Sequence, residues 1–120
     1  MERRVLIIDD NSAFRTAAGR LLERAGFVVV AEAGTGASGI REAKTHSPEV
    51  AIVDVQLPDF DGFEVAERLS ELEVPPRVIL TSSLDGADFG ALVTGSSALG
   101  FIPKAELSAS LIDGLLAETR

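Results

Sequence analysis

The sequence contains no cysteine, so neither a disulfide framework nor thiolate chemistry is open to it, and a reducing compartment is expected. Cations are scarce: 11 Lys and Arg stand against 19 Asp and Glu, for a formal net charge of −8. That surface opposes contacts with nucleic-acid phosphates, which need clustered positive charge, and docking on anionic lipid. Long apolar runs are missing too. Only Val5–Ile8 separate the opening residues from Asp9-Asp10, whereas a signal-peptide core takes roughly 7–15 apolar residues and a membrane helix about 20. The expectation is a cytoplasmic protein with no membrane and no direct nucleic-acid partner. No repeat, linker or low-complexity tail interrupts the 120 residues, which suits one domain spanning 1–120 at a prior of about 150 residues per domain.

What is present suffices for a core: 46% of residues are hydrophobic, and the mean hydropathy is +0.24. Five short runs rich in β-branched residues stand out: Val5–Ile8, Phe27–Ala31, Val50–Val53, Val78–Leu80 and Phe101–Ile102. The first, third and fourth are apolar at every position, as strands buried on both faces of a parallel sheet must be. Between the runs lie helical patterns. Asn11 or Ser12 can cap a first helix with the stripe Phe14, Ala18, Leu21, Leu22 and Ala25, ended by Gly26. A second runs over Ala37–Thr45, with Ile40 and Ala43 as anchors, and is stopped by Pro48. A third follows Asp61-Gly62 with Phe63, Val65, Ala66 and Leu69, and a last one places Leu107, Leu111, Ile112, Leu115 and Leu116 on one face. The fourth, Ala87–Ala98, is weakened by Gly90 and Gly95, each costing about 1 kcal/mol against alanine. With Gly86 and Gly100 nearby, this segment is expected to be the least protected from amide exchange. The pattern is α/β, a (βα)5 alternation.

In such folds ligands bind at the carboxyl ends of the parallel strands. Those ends here are Asp9-Asp10, Asp54, Thr81-Ser82-Ser83 and Lys104, one of only two lysines. Neighbouring carboxylates raise one another's pKa unless a cation intervenes, and magnesium commonly takes one or two carboxylates with phosphate oxygens. Three carboxylates, a divalent cation and Lys104 sum to zero formal charge. An Asp pair after a strand also serves as an ordinary turn or helix cap; the joint placement at three strand ends is what favours a site.

The segments Ile8-Asp9-Asp10-Asn11, Val53-Asp54-Val55-Gln56-Leu57-Pro58, Asp61-Gly62, Leu80-Thr81-Ser82 and Phe101-Ile102-Pro103-Lys104 resemble the receiver domain of two-component response regulators, the CheY-like family. The likeness covers essentially the whole chain. It implies a doubly wound, flavodoxin-like five-stranded parallel sheet of order 2-1-3-4-5. It further implies that Asp54 accepts a phosphoryl group from a sensor histidine kinase or phosphotransfer protein. Mg2+ (or Mn2+) would then be held by Asp10, Asp9, Asp54 and the backbone carbonyl of Gln56. Lys104 would pair with a phosphoryl oxygen, and Phe101 would turn inward together with a switch hydroxyl. Gln56 and Ser83 would tune hydrolysis of the phosphoryl group, and Pro58 and Gly62 would shape the loop after the acceptor. A homodimer through the fourth helix, fifth strand and fifth helix is a further implication.

Counting forward along the fourth strand makes Thr81 the switch; counting back from Lys104 at the family's spacing makes it Ser82. One extra residue in the loop Leu84–Asp88 reconciles the two in favour of Thr81, because burial fixes strand register while loop length is free. Many family members place proline after the lysine in a cis bond, whereas this chain has Ala105 there, so the isomer of that bond stays open. Pro103, which lacks an amide donor, suits an edge strand. The competing readings are a receiver-like interaction module independent of phosphorylation, an aspartate-nucleophile phosphatase and a flavin-binding fold. The phosphatase needs an Asp-x-Asp after the first strand. The flavin fold needs a Ser, Thr and Gly-rich loop where this chain has Asp9-Asp10. Turnover would be confined to Asp54 itself, with no free metabolite consumed. The output domain, if the chain is cut from a longer regulator, is not specified.

Overall fold

A computed structural model describes residues 3–83 and 90–117. Five strands alternate with five helices: β1 (Arg3–Ile8), α1 (Ser12–Arg24), β2 (Phe27–Ala33), α2 (Gly36–His46), β3 (Val50–Asp54), α3 (Gly62–Ser70), β4 (Arg77–Ser82), α4 (Gly90–Thr94), β5 (Gly100–Pro103) and α5 (Ala109–Ala117). The strands form one parallel sheet in the order β2-β1-β3-β4-β5. The three runs that are apolar throughout thus become the three central strands. Pro103 lies on the edge strand β5, where a missing amide donor breaks no ladder on the solvent side.

Side chains alternate between the two faces of a strand, and the core divides accordingly. Leu6, Ile8, Ala51, Val53, Val78 and Leu80 pack with Ala43 of α2 and Val65, Ala66 and Leu69 of α3. Val5, Ile7, Val50, Ile52, Ile79 and Ile102 pack on the other face with Ala18 and Leu22 of α1 and Ile112 of α5.

Local chemistry sets the helix ends. Asn11 caps α1, its side chain accepting from Phe14 N, and Gly26 follows the helix at φ 93°, a left-handed conformation that glycine adopts without a Cβ clash. Thr35 and Ser38 form a capping box on α2, and Asp61 caps α3. At the far end of α2, Ser47 takes φ 45°, and Arg4 donates to the carbonyls of His46 and Ser47. Close packing rather than φ explains Gly39, where a Cβ would lie 2.4 Å from the Ile8 side chain.

Several expectations need correction. Strand β2 runs on to Ala33, pairing Glu32 and Ala33 with Ile7 and Ile8 of β1, and its register against β1 shifts by one residue, Val30, between Val5 and Leu6. Among the described residues the fourth helix covers Gly90–Thr94 and stops there, so Gly95 and Ala98 lie beyond its end, in keeping with the cost of glycine at position 95. Gly86, Ala87 and the Leu84–Asp88 loop fall outside the described residues. Helix α5 begins only at Ala109, so Leu107 precedes it, capping a 3-10 turn at Lys104–Glu106. Leu111 is 45% exposed and off the buried face that Ile112 occupies. Among the described residues no peptide bond is cis, so the Lys104-Ala105 bond is trans, and no helix is long and apolar enough to cross a membrane.

Candidate functional site

Strand register brings the predicted residues together. Ile8 is level with Val53 and Asp54 is level with Thr81, while Ser82 pairs with Pro103. Parity then assigns faces. Asp9 continues the Val5, Ile7 series, Asp54 the Val50, Ile52 series and Thr81 follows Ile79, so all three belong to the α1 and α5 side. Ser82 shares the parity of Val78 and Leu80 and belongs to the opposite side.

Asp9 and Asp54 are 1% and 4% exposed. Each is held by the amide two residues on: Asn11 N donates to Asp9 Oδ1 at 2.8 Å, and Gln56 N to Asp54 Oδ1 at 3.1 Å. Both turns leave Oδ2 toward Lys104, whose Nζ lies 2.7 Å from Asp9 and 3.3 Å from Asp54. Asp10, exposed at the mouth, completes a trio in which one carboxylate oxygen from each lies within 4.8 Å of the others. Among the described residues two buried side-chain oxygens are left without an aligned hydrogen bond, Asp9 Oδ2 and Thr81 Oγ1. The first faces the Lys104 ammonium, and the second belongs to the residue level with Asp54 at the end of β4. An all-oxygen donor set whose two buried carboxylates share one ammonium fits a hard divalent cation, and the unpartnered Thr81 hydroxyl level with Asp54 fits an oxyanion.

Burial pushes the Asp54 carboxyl above its ordinary value; the Gln56 amide opposes this, Asp9 adds to it and Lys104 opposes it. Burial by itself would lower the Lys104 ammonium, yet Asp9 and Asp54 outweigh it and raise the group. The site therefore carries an excess of negative charge that a divalent cation would relieve.

The surrounding loops are tied down. Val55 N donates to Thr81 O at 2.8 Å, and Gly62 N to Val55 O at 2.7 Å. Gln56 bridges to Asp61, and a Cβ on Gly62 would sit 2.5 Å from Asp54 O. Gln56 and Ser83 are exposed, each two residues beyond the paired Asp54 and Thr81. Phe101 packs partly buried against the α2 and α3 side of the core. It lines a cleft of about 300 Å³ with Leu111 and Leu115 between β5 and α5.

Three residues near the site were not expected there from the sequence. Arg15 donates to Asp9 O at 2.6 Å and pairs with Glu32 at 3.1 Å. Asp59 accepts from Gly36 N, Ala37 N and Phe60 N, tying the loop after β3 to the start of α2. Those donors, Ala37 first, hold its carboxyl below the ordinary range although burial opposes them. Phe14, read as a core position, places its ring 4.6 Å from Lys104 Nζ. Its place one helical turn after Asp10 is the signal that could have found it.

The family model for the response regulator receiver domain matches residues 5–115. Among curated proteins, BvgA of Bordetella pertussis is 36% identical over 106 residues, covering 88% of this chain and 51% of its own. The chemotaxis protein CheY of Bacillus subtilis is 33% identical over 84 residues, 70% of each. The chain spans about half the length of the first curated relatives it matches, 53% and 51%. Among solved structures, the signal receiver domain of NarL from Mycobacterium tuberculosis superposes with a TM-score of 0.84. It has 31% identity and covers 99% of this chain and 98% of that one. A two-component response regulator of the LuxR family from Aurantimonas sp. SI85-9A1 reaches 0.88 at 26% identity, covering 100% and 89%. Matched over nearly its whole length and sharing the strand order and strand-end acids expected of them, the chain belongs to the receiver domains of two-component response regulators.

Proposed function

We propose that this domain, spanning 1–120, is a cytoplasmic phosphorylation switch, with Asp54 as the phosphoacceptor. The observation that carries the reading is Asp54 itself: buried, level with an unpartnered Thr81 hydroxyl and 3.3 Å from Lys104. An Asp54 carboxylate oxygen attacks the phosphorus of a phosphohistidine on a sensor kinase or phosphotransfer protein, or of a small acyl phosphate. A P–O bond forms as the donor's P–N or P–O bond breaks, and the donor leaves with the electron pair. Asp10, Asp9, Asp54 and the Gln56 carbonyl would hold Mg2+ or Mn2+, which neutralises phosphoryl oxygens and so supplies electrostatic stabilisation. Lys104 pairs with one phosphoryl oxygen, and Thr81 donates its hydroxyl to another. Gln56 and Ser83 flank the path of the water that later hydrolyses the acyl phosphate, and so tune its lifetime.

Phosphorylation draws the Thr81 hydroxyl toward Asp54 and Phe101 follows it, altering the face built from α4, β5 and α5. That face carries the Phe101, Leu111 and Leu115 cleft and is the proposed surface for output or homodimerisation.

Incubation with acetyl phosphate and Mg2+ is expected to label the wild type and leave D54N unlabelled. Retention of label in D54N refutes Asp54 as acceptor, and an unlabelled wild type leaves the phosphorylation-independent interaction module as the better reading. The switch hydroxyl has its own test. With beryllofluoride and Mg2+, T81A should lose the amide shift at Phe101 while S82A keeps it, because the two side chains belong to opposite faces. The reverse result would make Ser82 the switch.

A further inference from the structure

We infer that Phe14 is a positioning residue, its ring face seating the Lys104 ammonium beside Asp54; this rests on the phosphoacceptor reading above. Lys104 needs such a seat. It follows Pro103, the last residue of the edge strand, and opens a short 3-10 turn, so its backbone is held by no further ladder. Its ammonium sits on a flexible four-carbon stem that gains order only from its contacts. Among the described residues three surround it: Asp9 Oδ2 at 2.7 Å, Asp54 Oδ2 at 3.3 Å and the Phe14 ring centroid at 4.6 Å. Lys104 Nζ donates an aligned hydrogen bond to Asp54 Oδ2, whereas the approach to Asp9 Oδ2 is not aligned and supplies charge with little direction. The ring adds a second direction, because the negative face of the π system attracts a cation along its normal.

Phe14 is itself fixed by the turn that fixes Asp9. Asn11 N donates to Asp9 Oδ1, and Asn11 Oδ1 accepts from Phe14 N at 3.1 Å. The ring also packs against the core beneath α1 and α5. One turn of chain therefore sets a carboxylate on one side of Lys104 and an aromatic face on another. When Asp54 takes a phosphoryl group, the ammonium moves between carboxylate and phosphoryl oxygens along the ring rather than away from the site. Leucine keeps an apolar, somewhat smaller side chain at this partly buried position but offers no quadrupole. The function of the ring at position 14 is thus separable from its packing.

The chain has two lysines, Lys44 and Lys104, so lysine labelled with carbon-13 at Cε gives two resonances, with Lys44 as internal reference. On the unphosphorylated protein, ring shielding should place the Lys104 ε-protons upfield of those of Lys44. Phe14→Leu should bring them to the Lys44 position, and Phe14→Tyr, which keeps the ring face, should not. Labelling of Asp54 by acetyl phosphate with Mg2+ should slow about fivefold in Phe14→Leu and stay near wild type in Phe14→Tyr. An unshifted Lys104 in the wild type, an unchanged rate in Phe14→Leu, or an equal loss in Phe14→Tyr overturns the proposal. The resonance is read without phosphate. A shielded Lys104 in a wild type that takes no label therefore defeats the phosphoacceptor reading and the kinetic role of Phe14 with it, while the seat itself stands.

Discussion

Lys104→Met is expected to destabilise the metal-free protein by about 3–5 kcal/mol, the range for breaking a buried ion pair by removing one partner. The substitution keeps most of the side-chain volume and removes the charge between Asp9 and Asp54, both almost fully buried. Two like charges would then face each other with no counter-ion. Because Asp9 and Asp54 raise the Lys104 ammonium above its ordinary 10.5, its contribution is complete at neutral pH and fades only as the medium rises through that elevated value. Asp54 has the opposite consequence. Its folded-state pKa is raised above 3.8, so its ionised form costs stability at neutral pH, and that cost disappears as the pH falls through the raised value. The deficit of the variant should therefore shrink in mild acid. It should also shrink when Mg2+ is added, since a divalent cation on Asp9, Asp10 and Asp54 replaces the missing charge, and D10N in the same background should remove that rescue. Urea denaturation of wild type, K104M and D10N/K104M, with and without Mg2+, reads all of this. An equal deficit with and without the metal would show that these carboxylates do not hold it.

Gly62→Ala should cost about 3 kcal/mol, the upper part of the range for overpacking a rigid site. The added Cβ would lie 2.5 Å from Asp54 O and 2.8 Å from Val55 Cα. Both are backbone atoms of a central strand end, and Val55 is pinned by its bond to Thr81 O, so they cannot move aside. Helix α3 has to move outward instead, taking with it the loop from Gln56 to Asp61. The variant should thus lose stability and take up phosphate more slowly, for a single steric reason. Gly114→Ala is the control: nothing lies within 4 Å of its Cβ position, and within a helix the change should stabilise by up to about 1 kcal/mol. Thermal denaturation of the two variants, with acetyl phosphate labelling of each, checks the contrast; similar midpoints would contradict the steric argument.

Much of this was legible along the chain. Runs apolar at every position marked β1, β3 and β4 as central strands, because only a strand covered on both faces tolerates such a pattern. Asp9, Asp10, Asp54 and Lys104 could be placed at one edge, because parallel strands all end on the same side. The cap of α1 was narrowed to Asn11 or Ser12 for an equally local reason: the amide it serves lies within three residues. The end of α4 and the solvent position of Leu111 were misjudged, since a helical pattern does not say which of its apolar residues finds a partner.

The amino-acid sequence alone therefore determined the alternation of elements, the central strands and the acidic and basic groups at their ends, all of which follow from periodicity and neighbouring residues. Tertiary structure decided what depends on register between distant segments. It set Thr81, the residue that strand counting favoured over Ser82, level with Asp54 and on its face, tied Asp59 to the start of α2 and brought the ring of Phe14 against Lys104. Such pairings are fixed by how the strands slide and the helices seat against one another, and no local pattern in either segment encodes that offset.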